Sequence, residues 1–212
     1  MFRYRVAVPG SASLERWYRL RTEEYLRHGL ITAEEVDAST GLYIDPYDEH
    51  SIHVLASNED DVDVGCVRMV ESADGHVLPV SDLFEIDVLP RSWELSANLV
   101  LPEYRKSPLK PGLYRAVFSL AEDKGYENMY GIVEPSYLDA LIRTTGAPIE
   151  VVSEPRFVFN ALNVVIVVPR HIVRSVIEMP AEKASGFAAQ FRTPIRWVHP
   201  DESDGAAYPR DD

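Results

Sequence analysis

Cysteine is almost missing from this sequence: Cys66 is the single one in 212 residues. Neither an internal disulfide nor a cysteine-based metal cluster can be built from it, which fits a reducing compartment. Long apolar runs are missing too. No stretch reaches the roughly 18 apolar residues that span a bilayer, and the opening MFRYRVAVPG lacks the apolar block of a signal peptide, so the expected location is the cytoplasm. Positive charge is scarce, with 21 Lys and Arg against 34 Asp and Glu. The formal net charge of -13 repels phosphate backbones and anionic bilayers, and excludes nucleic acid as an expected partner. His28, His50, His53, His76, His171 and His199 are dispersed without helical pairing, so no metal site is expected. No serine stands in a Gly-x-Ser-x-Gly setting, and Cys66, inside a β-rich run, reads as a small packed residue.

What is present describes one α/β domain over 1–199, followed by an acidic, poorly ordered tail at 200–212. Residues 2–8 alternate apolar with basic side chains, a strand ended by Pro9-Gly10. Ser11 or Ser13 can cap a helix in which Leu14, Trp17, Tyr18, Arg21 and Tyr25 share one face and Gly29 closes the last turn. That phase places Arg21 among apolar side chains. Residues 30–50 are read as an ordered loop with a helical turn near 32–36. Strands at 51–57 and 62–70 flank the turn Asn58-Glu59-Asp60-Asp61, and a third strand covers 93–101. The loop from Arg105 to Gly112 leads into a helix carrying Leu113, Val117, Leu120 and Ala121 and ending at Gly125. A strand at 128–134 comes next, then a helix from Ser136 with Asp139 as its capping-box acid and Gly146 as its stop, then strands at 149–152 and 162–168. Hairpins first and β-α-β-α-β afterwards predict a mixed sheet flanked by helices, with a ligand entering where strands diverge.

Four groups stand in order along these elements: Leu20-Arg21 with Tyr25, Asp45-Pro46-Tyr47-Asp48, Gly65-Cys66-Val67-Arg68 and Trp93-Glu94-Leu95-Ser96. The succession resembles the acyl-homoserine-lactone (autoinducer) synthases and the related N-acyl amino acid synthases of the GNAT acyltransferase superfamily. The resemblance covers about 6–168 and includes Leu141-Ile142-Arg143-Thr144-Thr145-Gly146 followed by Pro148. It implies a GNAT-like, mostly antiparallel sheet and transfer of an acyl group from a thioester to an amine, the chemistry of autoinducer synthesis and quorum sensing. The chain departs from the lactone synthases at Tyr43, where they usually carry a glutamate, and at Ala97-Asn98, where an arginine is usual. It also has no tryptophan after Tyr25 where many of them do. The run Ser51-Ile52-His53-Val54-Leu55-Ala56 looks closer to the synthases that acylate free amino acids.

The implied chemistry needs a base, because an α-ammonium of pKa near ~8 has no lone pair to attack with. Glu94 is the candidate, with Asp45 and Asp48 holding and orienting the ammonium. The competing readings are a surface turn for the two aspartates and, for Glu94, a buried ion pair with Arg21 or Arg68. Arg21 and Arg68, with Tyr25 and Ser96 beside them, can grip an acceptor carboxylate or serve as internal salt bridges. The resemblance further implies that a backbone N–H near Leu99, Val100 or Leu101 steadies the oxyanion. Tyr114 or Tyr130 could stand near the leaving thiolate.

The donor phosphopantetheine is expected where Arg105, Lys106, Lys110 and Gly112 approach a helix N-terminus, with Arg115 adding to the basic cluster. No tightly bound cofactor is expected. The co-substrates are an acyl carrier protein or acyl-CoA, and S-adenosylmethionine or a free amino acid. The alternative, motivated by Tyr43 and Ala97, is a catalytically inactive GNAT-like ligand-binding protein.

Overall fold

The computed structural model describes residues 1–72, 75–179, 182, 189, 191 and 195–198, so the tail expected from Pro200 lies outside the described residues. The chain opens with strand β1 (Arg3–Ala7) and helix α1 (Ala12–Arg27). Ser11 caps α1 by accepting the Leu14 N–H at 3.1 Å. The apolar face then buries Trp17, Leu20 and Arg21, and the Trp17 indole N–H donates to the Val67 carbonyl at 3.3 Å. Strands β2 (Ser51–Ser57) and β3 (Asp63–Glu71) form the expected hairpin. Next come a short helix α2 (Pro79–Phe84), β4 (Ser92–Val100), α3 (Leu109–Asp123), β5 (Asn128–Val133) and α4 (Pro135–Thr145). The described elements close with β6 (Glu150–Val151), β7 (Arg156–Val158), β8 (Ala161–Pro169) and α5 (Arg170–Ile177).

The strands lie in the order β1-β2-β3-β4-β5-β8-β6, with β7 paired to β8. Every neighbouring pair is antiparallel except β4 with β5. Alternation sends Val54, Val67, Met69 and Trp93 to the α3 face, where they pack on Leu109, Leu113 and Val117. Leu55, Cys66 and Ala97 go to the α1 face with Trp17 and Leu20. Val70 and Tyr130 meet Val80 and Phe84 of α2. Leu138 of α4 packs on Val164, Ile166 and Val168, beside Ile172 and Val173 of α5.

Two irregularities open the sheet in its middle. The parallel pairing of β4 with β5 stops at Leu95–Gly131, although both strands continue. Across β4, Arg68 pairs with Ser96 and Cys66 with Leu99, so β4 carries one extra residue, a bulge with Ala97 at φ 45°. A bulge bends its strand and raises its twist, which turns the end of β4 away from β5.

Several expectations are corrected. Helix α3 begins at Leu109, because Pro111 falls in the first turn, where no N–H is required of it. Gly112 is consequently buried inside α3, where an added Cβ would overlap the Tyr4 hydroxyl. Helix α4 starts at Pro135 after Glu134, without a side-chain cap, so Asp139 is not a capping acid. Helices α2 and α5 and strand β7 were not anticipated.

Candidate active site

The split between β4 and β5 opens a cavity of about 730 Å³. Its polar end is lined by Asp45, Arg68, Glu94 and Ser96, with Tyr25 and Tyr43 beside them. Its far end runs between the sheet and the helices of the opposite face, lined by Phe118, Leu141, Ile166, Val168, Ile172 and Val176. Helix α5 has no buried residue, and its apolar side forms one wall of this space.

Asp45-Pro46-Tyr47-Asp48 is a turn, yet it faces inward: the Tyr47 N–H bonds Asp45 Oδ1 at 2.9 Å and the Asp45 N–H bonds Asp48 Oδ2 at 2.9 Å. Arg21 holds Asp48 in a fork, Nη1 to Oδ1 at 3.0 Å and Nη2 to Oδ2 at 2.6 Å, and also donates to the Tyr43 carbonyl at 2.6 Å. Its guanidinium lies over the rings of Trp17 and Tyr43 at 4.7 and 4.9 Å, with Tyr18 and Tyr25 completing an aromatic box. Arg68 Nη1 sits 2.7 Å from both Asp45 oxygens and 2.7 Å from Asp48 Oδ1, while its Nε donates to Ser96 Oγ at 2.9 Å. Burial disfavours the Arg68 charge, but Asp45 and Asp48 outweigh it and hold the group protonated. Burial likewise opposes the Asp48 charge, yet the His53 hydrogen bond and the two guanidiniums keep its carboxyl well below the usual range. Two cations thus neutralise two anions under the sheet.

Glu94 stands apart from this network. It is 1% exposed and accepts the Val80 N–H at 2.8 Å. Burial pushes its pKa from 4.5 to about 8, against the opposing pull of the Val80 hydrogen bond and Arg68. The competing reading of Glu94, a buried ion pair with Arg21 or Arg68, is not met, since both arginines are taken by Asp45 and Asp48. On the other side of the split Tyr114 and Tyr137 share a hydrogen bond at 3.1 Å, and Lys110 Nζ lies 4.5 Å from the centre of the Tyr137 ring.

A family model, the N-acyl amino acid synthase FeeM, matches residues 16–167. The chain belongs to this family. The likeness extends to solved structures of the same fold. The CoA-dependent acyl-homoserine lactone synthase BjaI, solved with SAM and isopentyl-CoA, superposes with TM-score 0.63 at 22% identity over 91% of this chain and 97% of that one. The acyl-homoserine lactone synthase LasI gives 0.63 at 14% identity over 80% and 90%. FeeM itself, an N-acyl amino acid synthase from uncultured soil microbes, gives 0.60 at 12% identity over 82% and 93%. No curated protein sequence matches. This FeeM-family chain is therefore an acyltransferase with a GNAT-like fold.

Within this FeeM-family fold, Tyr25, Asp45, Arg68, Glu94, Ser96 and Lys110 reach the cavity. Arg21 and Asp48 do not line it; they lie directly behind Asp45 and Arg68. The surface-turn reading of the aspartates is overturned, with Asp48 only 5% exposed. Arg105 and Lys106 are exposed and off the cavity, and Gly112 is packed away from it. The Leu101 N–H already donates to the Val64 carbonyl at 3.0 Å, and Leu99 is paired with Cys66, whereas Ala97 and Asn98 have no register partner on β3. Tyr130 is not among the lining residues; its hydroxyl instead accepts the Leu89 N–H at 3.1 Å. Sequence reasoning missed His53, Asn98, Tyr137 and the α5 wall. The first of these carried a readable signal, because a histidine in an otherwise apolar strand needs a partner. Among the described residues no group of three His, Cys, Asp or Glu could hold a metal, and no helix is long and apolar enough to cross a membrane.

Proposed function

We propose that this acyltransferase joins a long acyl group, delivered as a phosphopantetheine thioester, to the α-amine of a free amino acid. The observation that carries the reading is one continuous cavity with Glu94, Asp45 and Arg68 at one end and an apolar channel at the other, meeting where β4 and β5 part. The acyl chain occupies the channel and the thioester lies in the split. The acceptor carboxylate pairs with Arg68, whose Nη2 has no hydrogen-bond partner among the described residues. Its ammonium faces Asp45 and Glu94.

A carboxyl of pKa about 8 is well matched to an α-ammonium, whose own pKa lies near ~8, so the proton passes between them at little cost. Glu94 takes one proton, directly or through a water. The freed amine attacks the thioester carbon, and the N–H groups at the Ala97–Asn98 bulge steady the oxyanion. Collapse breaks the C–S bond. The nitrogen gives up a second proton as the amide forms, the thiolate takes one, and one is released. Burial keeps Tyr114 protonated, so the Tyr114–Tyr137 pair supplies hydrogen bonds to the departing sulfur rather than a free proton.

Tyr43 lines the acceptor end where the lactone synthases have an acid, which favours an amino acid over the sulfonium of S-adenosylmethionine. The exposed Arg105 and Lys106, in a chain of net charge -13, favour an acidic carrier protein as donor. The test is thiol release from acyl carrier protein and acyl-CoA donors of several lengths against free amino acids and S-adenosylmethionine, with the products weighed by mass spectrometry. An N-acyl amino acid is expected. A lactone, or no amide from any pairing, overturns the proposal.

A further inference from the structure

We propose that His53 is a positioning residue for the acceptor site, acting through Asp48 on Arg68; the assignment rests on the acceptor reading above. His53 and Arg68 are register partners across β2 and β3, so their side chains leave the same face of the sheet side by side. The imidazole is 3% exposed, and the Trp17 and Tyr18 rings meet it edge-on at 4.4 and 5.6 Å, which fixes its plane. Its Nε2 lies 3.1 Å from Asp48 Oδ1. An anionic oxygen accepts and does not donate, so Nε2 carries the hydrogen.

Asp48 is the hub of the network. Oδ1 takes hydrogen bonds from His53, Arg21 Nη1 and Arg68 Nη1, and Oδ2 from Arg21 Nη2 and the Asp45 N–H. Arg68 Nη1 is held between two carboxylates at equal distances of 2.7 Å, so its position depends on how strongly each one pulls. The His53 N–H offsets part of the charge on Asp48 Oδ1. Without that donor, Asp48 draws the guanidinium inward, away from Asp45 and Ser96, and the face presented to the acceptor moves. His53 touches neither acceptor nor donor: it is not among the lining residues of the cavity.

The experiment compares steady-state kinetics of His53→Phe, which keeps a ring against Trp17 but removes the donor, with His53→Gln, which keeps an N–H. The expected result for His53→Phe is an acceptor KM raised about ten-fold or more, the loss typical of a hydrogen bond to a charged group, with the donor KM unchanged. His53→Gln restores the acceptor KM to within about three-fold. An unchanged acceptor KM in His53→Phe, or both KM values and kcat shifting together with the melting temperature, overturns the assignment. Should His53→Phe fail to fold, His53→Gln against His53→Met, similar in length and differing in the donor, reads the same split. Arg68→Gln is measured alongside. If it leaves the acceptor KM unchanged, the acceptor reading itself fails; if it raises that KM while His53→Phe does not, only the role of His53 fails.

Discussion

Glu94 on β4 and the backbone of Val80 on α2 are joined by a hydrogen bond of 2.8 Å, and Arg68 opposes the burial of that carboxyl only at a distance, without an ion pair. Burial raises its pKa to about 8. As the proton acceptor it is competent only when ionised, so kcat/KM rises with pH through about 8 and levels above it. Glu94→Gln lowers kcat by roughly a hundred-fold or more and removes the enzyme's share of that inflection, leaving only the rise due to ionisation of the amine itself. A pH–rate profile of both proteins checks this.

The same burial has a thermodynamic signature of the opposite kind. The folded pKa lies above the ordinary 4.5, so between pH 4.5 and about 8 the unfolded chain loses this proton while the folded one keeps it. Fewer protons are bound in the unfolded state, and stability falls with rising pH across that window. Glu94→Gln escapes the loss. Its melting temperature minus that of the native protein should grow from pH 4.5 to 8 and stay level above, by an amount corresponding to a few kcal/mol.

Asp48 shows the reverse linkage, because its carboxyl is held below its usual range. Its contribution is present above the ordinary carboxylate pKa and is lost only as pH falls through the depressed value. Asp48→Asn leaves Arg21, which is fully buried, without its forked partner, a loss of about 3 to 5 kcal/mol. Urea unfolding at pH 7 measures it.

Val173 of α5 lines the apolar channel from a helix with no buried residue. Val173→Phe should therefore fill the channel with little cost in stability and shift the preferred donor toward shorter acyl chains. Comparing kcat/KM across donors of increasing length, together with the melting temperature, checks both halves.

Gly112 serves packing: a side chain there would meet the Tyr4 hydroxyl, and Tyr4 is itself 4% exposed. Gly112→Ala should destabilise by about 1 to 3 kcal/mol through overpacking, with the donor KM of the folded fraction unchanged. Adding Tyr4→Phe should recover part of the loss. Thermal melts and donor kinetics test the pair.

Local patterns made most of this fold legible. The phase of Trp17, Leu20 and Arg21 on α1, the hairpin over β2 and β3, and the glycines ending α3 and α4 all follow from period and turn chemistry. Helix α2 was hidden because six residues opening with proline show no period. Helix α5 was hidden because its apolar side faces a cavity rather than a core. The β4 bulge comes from Ala97 in a left-handed conformation that alanine seldom adopts, so no propensity announces it. In the site, the convergence of Asp45, Arg68 and Glu94 was implied by the family resemblance that their motifs carry. Which carboxylate each arginine takes was not, because that depends on the cross-strand register that sets His53 beside Arg68.

The account depends on acceptor and acyl chain meeting at the place where β4 and β5 separate. A crystal structure with an unreactive thioether analogue of a long-chain acyl-pantetheine and a free amino acid tests that directly. It should show the chain between α3, α4, α5 and the sheet, the amino-acid carboxylate on Arg68, and the amine within about 3.5 Å of the carbon standing for the thioester carbonyl, on the side of Glu94. An acyl chain bound outside the channel, or an amine on the far side of the sheet from Glu94, would contradict it.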